Sequence, residues 1–363
     1  MKKIAINMLP FKNRLPGTGN YIKRLLFFLQ KLDTENNYFL YFGNCDDPKD
    51  LFGIYADNFS IIKCGKFESK LIRILNEQFI FPFRIGKLKP DILFCPSVAV
   101  PLLSFSGAKI ITTIHDLIPF LFKKKYSFVQ RSYINLISYL SAKKADKVLT
   151  VSENSKKDII KFLNIKEEKI KVLYNFLPPE MPEKNNQPRE NFFITVSTIN
   201  PGKNLERLFE AFNIFHANNG DFKLYVIGGK GWNYESIFLK VKQLELDKAI
   251  IFLGYLKDDD LYKYYQMAKA LVYVSIYEGF GIPPLEALHF NCPVVVSNTS
   301  SLPEVVGKAG FLVDPYNVNS IADGMYKCTD EAQISEKLKF IPDQLKKFNG
   351  ETETKKLLTL IKS

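Results

Sequence analysis

The chain has 363 residues, of which 46% are hydrophobic and 24% are charged. This length exceeds the size at which a single hydrophobic core stops growing, so the sequence predicts a globular protein of two domains and excludes a disordered chain. The net charge of +12 is uneven, because residues 1–180 hold 29 Lys/Arg against 16 Asp/Glu, whereas residues 181–363 hold 21 against 22.

The first half of the chain alternates short β-branched runs with helical patterns. This alternation predicts a parallel sheet flanked by helices. The predicted strands are residues 3–9, 38–43, 60–64, 91–96, 110–115, 148–152 and 170–175. A long helix is expected to start near Tyr21, after a loop that contains Gly17 and Gly19. No signal peptide precedes the first strand, so we expect a cytoplasmic protein.

A proline-rich, polar segment without periodicity follows at residues 178–190 and predicts a linker. Beyond it the β/α alternation resumes. The predicted strands are residues 192–197, 223–228, 250–254, 271–275, 293–297 and 311–313. We therefore expect two doubly wound α/β domains that face each other across a cleft, with ligands at the carboxyl ends of their strands.

The cysteines and histidines predict neither a disulfide framework nor a metal site. The five cysteines are odd in number and mostly lie inside apolar runs, which is typical of reduced core thiols. The three histidines are too dispersed for a zinc site.

Lysine and arginine cluster in the first half, close to aromatic residues, at 12–24, 63–73, 84–89 and 123–125. These clusters fit a solvated basic face, and they also fit attraction to an anionic membrane surface or a lipid pyrophosphate. No nucleic-acid-binding module is visible, so we expect no nucleic acid partner.

The segment 277–286 is the most informative part of the sequence, because it sets Glu278 and Glu286 around a glycine turn and a helix start. Two prolines follow the glycines, and proline suits the first helical turn, where backbone donors have no intrahelical partner. The amides of residues 279–282 are therefore expected to face outward at the positive end of the helix dipole. This arrangement predicts an anion site, with Glu286 one turn further along to accept from a vicinal diol.

Three further positions place polar or flexible residues at strand ends or turns. Lys203 lies in a Pro-Gly turn between a strand and an amphipathic helix, His115 closes an apolar strand, and Gly17 and Gly19 precede a helix. Each has a purely structural interpretation as a surface lysine, a hydrogen-bonded core histidine or a plain turn. Their position at the carboxyl edge of the sheets, where ligands are expected, favours a functional interpretation instead.

The order and spacing of several segments resemble the retaining glycosyltransferases of family 4, the group 1 glycosyltransferases with the GT-B fold. In the second half these segments are 196–205 (VSTINPGKNL), 226–232 (VIGGKGW), 252–255 (FLGY), 277–286 (YEGFGIPPLE) and 301–307 (SLPEVVG). Segments 16–20, 114–117 and 145–158 of the first half are also similar. The resemblance implies two Rossmann-like domains, an acceptor-binding one at 1–177 and a nucleotide-sugar-binding one at 191–345. Residues 346–363 resemble the family's closing helix, which returns to the first domain.

The resemblance also implies roles for individual residues. Glu278 would meet hydroxyls of the donor sugar, and Glu286 the ribose hydroxyls of the nucleotide. Lys203 would bind the donor diphosphate, and His115 would contact the donor sugar from the acceptor side. The resemblance thus implies that the catalytic residues are Glu278, Lys203 and His115. The residues that it implies for donor binding are Gly17, Gly19, Thr198, Tyr255, Phe280, Gly281, Ile282 and Glu286.

One position departs from the family pattern. Many relatives carry an arginine where this chain has Thr198, so the second positive charge of the phosphate site is missing from its usual place.

The expected function is retaining transfer of a hexose from a nucleoside diphosphate sugar to a glycan or lipid-linked oligosaccharide in surface polysaccharide synthesis. The segments around Lys203, Trp232 and Ser301 look most like those of bacterial mannosyl- and rhamnosyltransferases, so GDP-mannose is the first expectation for the donor. No metal or other cofactor is expected. The enzyme is expected in the cytoplasm, at the inner face of the cytoplasmic membrane. A GT-B epimerase, a phosphorylase and a non-catalytic GT-B partner subunit are the alternatives.

Overall fold

The computed structural model describes residues 1–13, 15, 17–103, 107–122, 127–184 and 188–362. These residues divide into two compact units, one formed by 1–179 with 349–363 and the other by 180–348. The division between Pro179 and Glu180 falls within the segment that the sequence predicts as a linker. Arg14, Pro16, the basic cluster 123–125 and the linker residues 185–187 lie outside the described residues.

The first unit is built on a parallel sheet that has seven strands within the described residues. The strands are β1 (Lys3–Asn7), β2 (Asn37–Phe42), β3 (Phe59–Lys63), β4 (Ile92–Cys95), β5 (Lys109–Thr113), β6 (Lys147–Thr150) and β7 (Ile170–Val172). Their order is β3-β2-β1-β4-β5-β6-β7. The direction of winding reverses between β1 and β4, and doubly wound sheets bind ligands at such a switch point.

Helices cover this sheet, and the strands beneath them are apolar because both faces of a parallel sheet are buried. The helices are α1 (Gly17–Leu32), α2 (Pro48–Phe52), α3 (Lys70–Leu75), α4 (Phe81–Leu88), α5 (Ile118–Leu121), α6 (Phe128–Lys144) and α7 (Glu153–Leu163). One π-helical turn, Asn76–Ile80, joins α3 to α4.

The start of helix α1 corrects the sequence prediction. The helix begins at Gly17 rather than near Tyr21, so Gly17 and Gly19 lie in its first turn and not in a loop before it. Glycine is costly mainly in a helix interior, and the buried face formed by Tyr21, Ile22 and the leucines that follow stabilises the helix as a whole.

The second unit repeats the architecture with six strands within the described residues. They are β8 (Glu190–Val196), β9 (Lys223–Ile227), β10 (Ile250–Gly254), β11 (Ala268–Tyr273), β12 (Val294–Ser297) and β13 (Phe311–Val313). All pairs are parallel, in the order β10-β9-β8-β11-β12-β13, so the switch point lies between β8 and β11.

Eight further helices belong to this unit within the described residues. They are α8 (Leu205–His216), α9 (Glu235–Gln243), α10 (Asp258–Met267), α11 (Ile282–His289), α12 (Leu302–Val306), α13 (Val318–Lys327), α14 (Glu331–Leu338) and α15 (Ile341–Lys346). Phe209, Phe212 and Phe215 of α8 are fully buried in the core of the unit, and each such ring stabilises it by about 2 kcal/mol.

The last helix, α16 (Gly350–Lys362), belongs to the first unit and packs against α1. The backbone at Gly350 approaches the rings of Phe28 and Phe176 so closely that a Cβ would collide with them. The Glu353 carboxylate accepts a hydrogen bond from the Tyr174 amide at 3.0 Å.

The five cysteines, all within the described residues, are buried free thiols. Of the helices in the described part of the chain, none combines the length and the apolar character needed to cross a membrane.

Candidate active site

The switch point of the second unit brings together two residues that lie 75 positions apart in the sequence. Lys203 ends a short 3₁₀ turn, Pro201–Lys203, that follows β8. Glu278 follows β11, the neighbour of β8 in the sheet. Because the two strands are parallel, their carboxyl ends lie at the same edge, and the two side chains meet there.

Lys203, Tyr273 and Glu278 form a hydrogen-bonded group that we call the Lys203 cluster. Lys203 Nζ lies 2.5 Å from Glu278 Oε1 and donates to the Tyr273 hydroxyl at 3.2 Å. The Tyr273 hydroxyl donates to the same Glu278 oxygen at 2.8 Å. The side chains of Lys203 and Glu278 are 20% and 13% exposed, so the ion pair is largely removed from solvent yet still reachable.

The electrostatics of the cluster favour its charged form. Burial alone would lower the pKa of Lys203, but the Glu278 carboxylate and the Tyr273 oxygen outweigh it and raise that pKa above its usual range. Burial, reinforced by Glu278, raises the pKa of Tyr273, so the phenol keeps its proton and acts as a donor. Lys203 therefore keeps its proton, and the cluster presents its ammonium group beside Glu278.

Asn204 fixes the turn that carries Lys203. Its backbone has a φ of 60°, in the left-handed region that asparagine tolerates better than most residues. Its side-chain amide donates to the carbonyls of Val274 and Pro315 at 3.1 and 2.7 Å. The Ile276 amide also donates to the Gly202 carbonyl at 3.1 Å. The lysine is thus anchored to the chain that leaves β11, close to Glu278.

Two serines hold the backbone around Glu278. The Glu278 amide donates to Ser300 Oγ at 3.1 Å, and Ser301 Oγ lies within hydrogen-bond distance of the carbonyls of Glu278 (3.0 Å) and Phe280 (2.6 Å). Ser300 and Ser301, which lie just before α12, thus help to position the backbone on both sides of Gly279.

Glu286 occupies a more buried position in helix α11, with 8% of its surface exposed. Its Oε2 accepts a hydrogen bond from the Tyr265 hydroxyl at 3.1 Å. Burial raises the pKa of Tyr265, and the Glu286 carboxylate adds to that effect, so the phenol remains a donor. One carboxylate oxygen is therefore already oriented by the protein.

The turn before α11 requires glycine at position 281. Gly281 has a φ of 121°, and a Cβ there would lie 2.7 Å from the Leu302 side chain. The neighbouring Phe280 side chain is buried, with its ring edge-on to Phe348 at 5.2 Å. Phe280 can therefore meet a ligand only through its backbone, and Ile282 begins the helix.

Thr198 and Tyr255 are both exposed and lie just beyond the carboxyl ends of β8 and β10. The Thr198 carbonyl accepts from the Asn200 side chain at 3.0 Å, which helps to shape the turn before Lys203. Tyr255 is 79% exposed.

The first unit has its own polar group at the switch-point edge, centred on His115 after β5. Its Nε2 donates to the Pro96 carbonyl at 3.1 Å, and its ring lies edge-on to Tyr21 at 5.0 Å. The Ser155 hydroxyl donates to the His115 carbonyl at 3.1 Å. Burial lowers the pKa of His115 to about 4, so the imidazole is neutral at physiological pH.

His115 lines a cavity of about 220 Å³ that we call the His115 cavity. The other lining residues are mostly apolar, and the polar ones besides His115 are Thr18, Ser97, Thr113, Asp116 and Ser138. Thr18, in the first turn of α1, and His115 therefore line the same cavity. A Cβ at Gly17 would meet no atom within 4 Å, so internal packing does not require glycine there.

Two family models match consecutive parts of the chain. The model described as Glycosyltransferase Family 4 matches residues 17–181, and the model described as Glycosyl transferases group 1 matches residues 178–340. The chain belongs to the family 4, group 1 glycosyltransferases.

Two of the named relatives are bacterial O-antigen mannosyltransferases. The glycosyltransferase is 32% identical over 224 residues to O-antigen chain mannosyltransferase B of Escherichia coli. This match covers 58% of this chain and 59% of that protein. It is also 32% identical over 239 residues to O-antigen chain mannosyltransferase RfbU of Salmonella typhimurium, covering 66% of this chain and 63% of that one. The matches thus span about 60% of the relatives' own length.

Solved structures confirm the GT-B fold. The sucrose-phosphate synthase of Thermosynechococcus elongatus superimposes with a TM-score of 0.80 at 17% identity, over 100% of this chain and 98% of that one. At this identity the similarity concerns the fold.

The sequence analysis of the glycosyltransferase missed Tyr273, Tyr265 and Asn204. Tyr273 is the last residue of β11 and Asn204 follows a Pro-Gly-Lys turn, so their positions at the ligand edge could have identified both. Tyr265 lies on α10, and nothing in its local sequence signals the contact with Glu286. Within the described residues, no three His, Cys, Asp or Glu side chains come together as metal ligands.

Proposed function

We propose that this glycosyltransferase transfers a mannosyl residue from GDP-mannose, with retention of configuration, to a hydroxyl of a lipid-linked glycan during surface polysaccharide synthesis. The observation that carries the proposal is the Lys203 cluster at the switch point of the second unit. The choice of mannose is supported by the names of the O-antigen relatives.

The Lys203 cluster suits a donor that carries both a sugar and a diphosphate. The Lys203 ammonium has three donors, and Glu278 and Tyr273 occupy two directions around it. A phosphate oxygen can take the remaining direction while Glu278 stays in place. Glu278 then carries negative charge beside the sugar, where positive charge develops at the anomeric carbon as the bond to phosphate breaks.

In this mechanism the acceptor hydroxyl attacks the anomeric carbon on the face that the leaving phosphate vacates. The new C–O bond forms as the bond to the β-phosphate oxygen breaks, and that oxygen takes the acceptor proton. Lys203 and the backbone amides at the start of α11 stabilise the charge on the leaving group. No divalent metal is needed, so EDTA should leave the rate unchanged.

His115 and the first turn of α1 fit the acceptor side of the same reaction. The neutral imidazole can hydrogen-bond a sugar hydroxyl through Nδ1 without adding charge, because Nε2 is engaged by Pro96. We also infer that the enzyme works at the inner face of the cytoplasmic membrane, where a lipid-linked acceptor and the basic first unit would meet.

Thermal unfolding with GDP-mannose, UDP-glucose and dTDP-rhamnose tests the choice of donor. The true donor at 100 times its Kd should stabilise the protein by about 2.7 kcal/mol, and the others should do so less. Transfer from that donor to lipid-linked glycan extracted from the source cells should then fall at least about 100-fold in Glu278→Ala.

The same experiments separate the alternatives. An epimerase would convert the nucleotide sugar without acceptor, and a phosphorylase would require inorganic phosphate. Full activity of Glu278→Ala would overturn the catalytic assignment, and a fully folded protein that no nucleotide sugar stabilises would point to a non-catalytic partner subunit.

A further inference from the structure

The first unit carries a concentration of exposed apolar side chains that its own core does not explain. Six of them lie on α3, the π-helical turn and α4: Leu71, Ile72, Leu75, Phe79, Ile80 and Phe83, each between 44% and 64% exposed. Helix α3 has no buried residue at all. An amphipathic helix normally buries its apolar stripe, so this helix presents that stripe to something outside the unit.

Helix α6 extends the same surface. Phe128, Val129, Tyr133, Leu136 and Tyr139 are exposed, the first two by about three quarters of their surface (74% and 75%). Only four of the 17 residues of α6 are buried.

The loop at residues 100–102 ties the two regions to each other. Gln78 of the π-helical turn donates to the Val100 carbonyl at 3.2 Å and accepts from the Leu102 amide at 2.9 Å. On the other side of the loop, the Val100 amide donates to Ser141 Oγ of α6 at 3.2 Å. Leu102 and Leu103 are exposed as well, so exposed apolar side chains lie on both regions and on the loop that is hydrogen-bonded to each of them. We call residues 71–83, 102–103 and the exposed side of α6 the apolar face.

The apolar face holds most of the large hydrophobic side chains that are exposed within the described residues. Of the 22 large hydrophobic side chains that are exposed within the described residues, 13 lie on it. In the second unit such residues occur singly, as Leu239 on α9 and Leu312 on β13 do. Single exposed residues are ordinary, whereas a contiguous patch marks an interaction surface.

The charges around the apolar face are almost all positive. Residues 69–89 contain five Lys/Arg and one acidic residue, and α6 contains three Lys/Arg and none. The single acid, Glu77, is 2% exposed and bonded to Arg73 at 2.7 Å, so it adds no negative charge to the surface. The exposed carboxylates nearest along the chain lie outside these two segments, at Glu68, Asp91 and Asp146.

We propose that the apolar face docks on a lipid bilayer that contains anionic headgroups. Leucine and phenylalanine insert at the boundary between headgroups and acyl chains, while the surrounding lysines and arginines attract the anionic surface. A second copy of this chain is a poorer fit, because a two-fold contact would set the same positive charges against each other.

This docking gives the lipid-linked acceptor a route to the site. Ile134 and Ser138 of α6 line the His115 cavity, and the exposed residues of the same helix belong to the apolar face. A glycan anchored in the bilayer would thus be delivered beside the cavity. This link to the acceptor rests on the proposed function, whereas docking itself does not.

Co-sedimentation of the full chain with vesicles tests the proposal. Phosphatidylcholine vesicles with 30% phosphatidylglycerol should bind the protein at least about tenfold more tightly than phosphatidylcholine alone, and high salt should weaken that preference. Leu71→Ser with Leu75→Ser should lower binding to the anionic vesicles about tenfold or more, because two inserted side chains are lost. Since α3 buries nothing, these changes leave the core intact.

Charge reversal provides an independent test. Lys70→Glu with Lys87→Glu should lower anionic vesicle binding at least about tenfold. Matched changes on the second unit, Leu239→Ser with Leu312→Ser and Lys242→Glu with Lys248→Glu, should leave binding within about twofold. Phe79→Ser with Ile80→Ser is a second apolar variant, should the first fail to fold.

Several outcomes would overturn docking on anionic lipid. They are no vesicle binding by the folded protein, equal binding to neutral and anionic vesicles, and equal losses in the matched controls. A wild-type dimer that Leu71→Ser with Leu75→Ser converts to a monomer would instead assign the face to a second copy. Because vesicle binding is measured without donor or acceptor, an inactive protein that still binds anionic vesicles would count against the proposed function alone.

Discussion

The two units share one sheet topology but place opposite chemistry at the switch point. In the second unit the strand ends carry a lysine and a glutamate in direct contact, 2.5 Å apart. In the first unit the same edge carries a histidine held neutral by burial, beside a cavity of about 220 Å³ with mostly apolar walls. One edge holds a lysine–glutamate ion pair, and the other holds a neutral imidazole beside mostly apolar walls, with Asp116 as the carboxylate in the lining.

This difference shows that the doubly wound topology supplies the position of a site and that the residues after each strand decide what the site can bind. A lysine after β8 and a glutamate after β11 fit a ligand that has both a diphosphate and hydroxyls. A neutral imidazole with Thr18, Ser97 and Asp116 fits a ligand that brings hydroxyl groups.

Among the variants of the two units, we expect the largest effect from a change at Lys203 in the Lys203 cluster. In Lys203→Met, kcat/KM for transfer should fall about 100- to 1000-fold, because a preorganised donor to the leaving phosphate is lost while Glu278 keeps its place. Initial rates at varied donor concentration measure the change.

Lys263→Met is the matched control for this change. Lys263 is an exposed lysine of the same unit that pairs with Asp260 on α10. It should keep kcat/KM within about threefold, since it lies on the surface of a helix. Retention of more than a tenth of the activity by Lys203→Met would mean that the charge in the Lys203 cluster does not act on the phosphate.

The first unit can be tested through the pH dependence of its stability, because burial raises the pKa of Glu77 and lowers that of His115. Burial raises the pKa of Glu77 to about 7, with Arg73 opposing it, so the folded state binds more protons than the unfolded state between about pH 4.5 and 7. Its contribution to the free energy of unfolding therefore falls by up to about 3 kcal/mol as the pH rises through that window.

His115 gives the opposite slope. Its pKa of about 4 lies below the unfolded value near 6.5, so the unfolded state binds more protons between these values and stability rises with pH. In the wild type the two slopes should largely cancel between pH 4.5 and 6.5. In Glu77→Gln the free energy of unfolding should rise by about 3 kcal/mol as the pH increases through this range. In His115→Asn it should fall by a similar amount.

Amide hydrogen exchange in β1 and β5, corrected for intrinsic rates, measures these opening free energies across pH. Glu168→Gln, an exposed carboxyl of the same unit, should leave the slope as in the wild type. Parallel pH curves for the wild type, Glu77→Gln and His115→Asn would contradict the assignment of the slopes to these two groups.

The strands could be predicted from sequence because each is a short apolar run bounded by polar or turn residues. Every predicted strand has a counterpart in the structure, with bounds that differ by a few residues; β11, for example, begins at Ala268 rather than Leu271. The parallel direction of the strands in each sheet followed from the βα alternation. The first turn of α1 and the π-helical turn at Asn76–Ile80 did not, since tertiary packing overrides local propensity there.

The site could be predicted only in part, for a related reason. Lys203 and Glu278 each stand in a recognisable local pattern, so each could be proposed as a ligand. Their mutual ion pair depends on β8 and β11 being neighbours, which no local pattern states. Likewise, the oxygen of Tyr265 reaches Glu286 from a different helix, and only the packing of α10 on α11 brings them together.

Removing the contact between Tyr265 and Glu286 should have the smallest effect on the kinetic constants. It tests which part of the donor Glu286 binds. Tyr265→Phe removes the hydroxyl that orients Glu286 Oε2 at 3.1 Å and keeps the ring stacked on Phe290. One hydrogen bond is worth about 1 kcal/mol, so donor KM should rise about fivefold with kcat unchanged, and the Kd for free nucleoside diphosphate should rise equally. Tyr316→Phe, an exposed tyrosine of the same unit, should change neither constant. A fall in kcat without a change in KM would instead place Glu286 at the reacting sugar, next to the role proposed for Glu278.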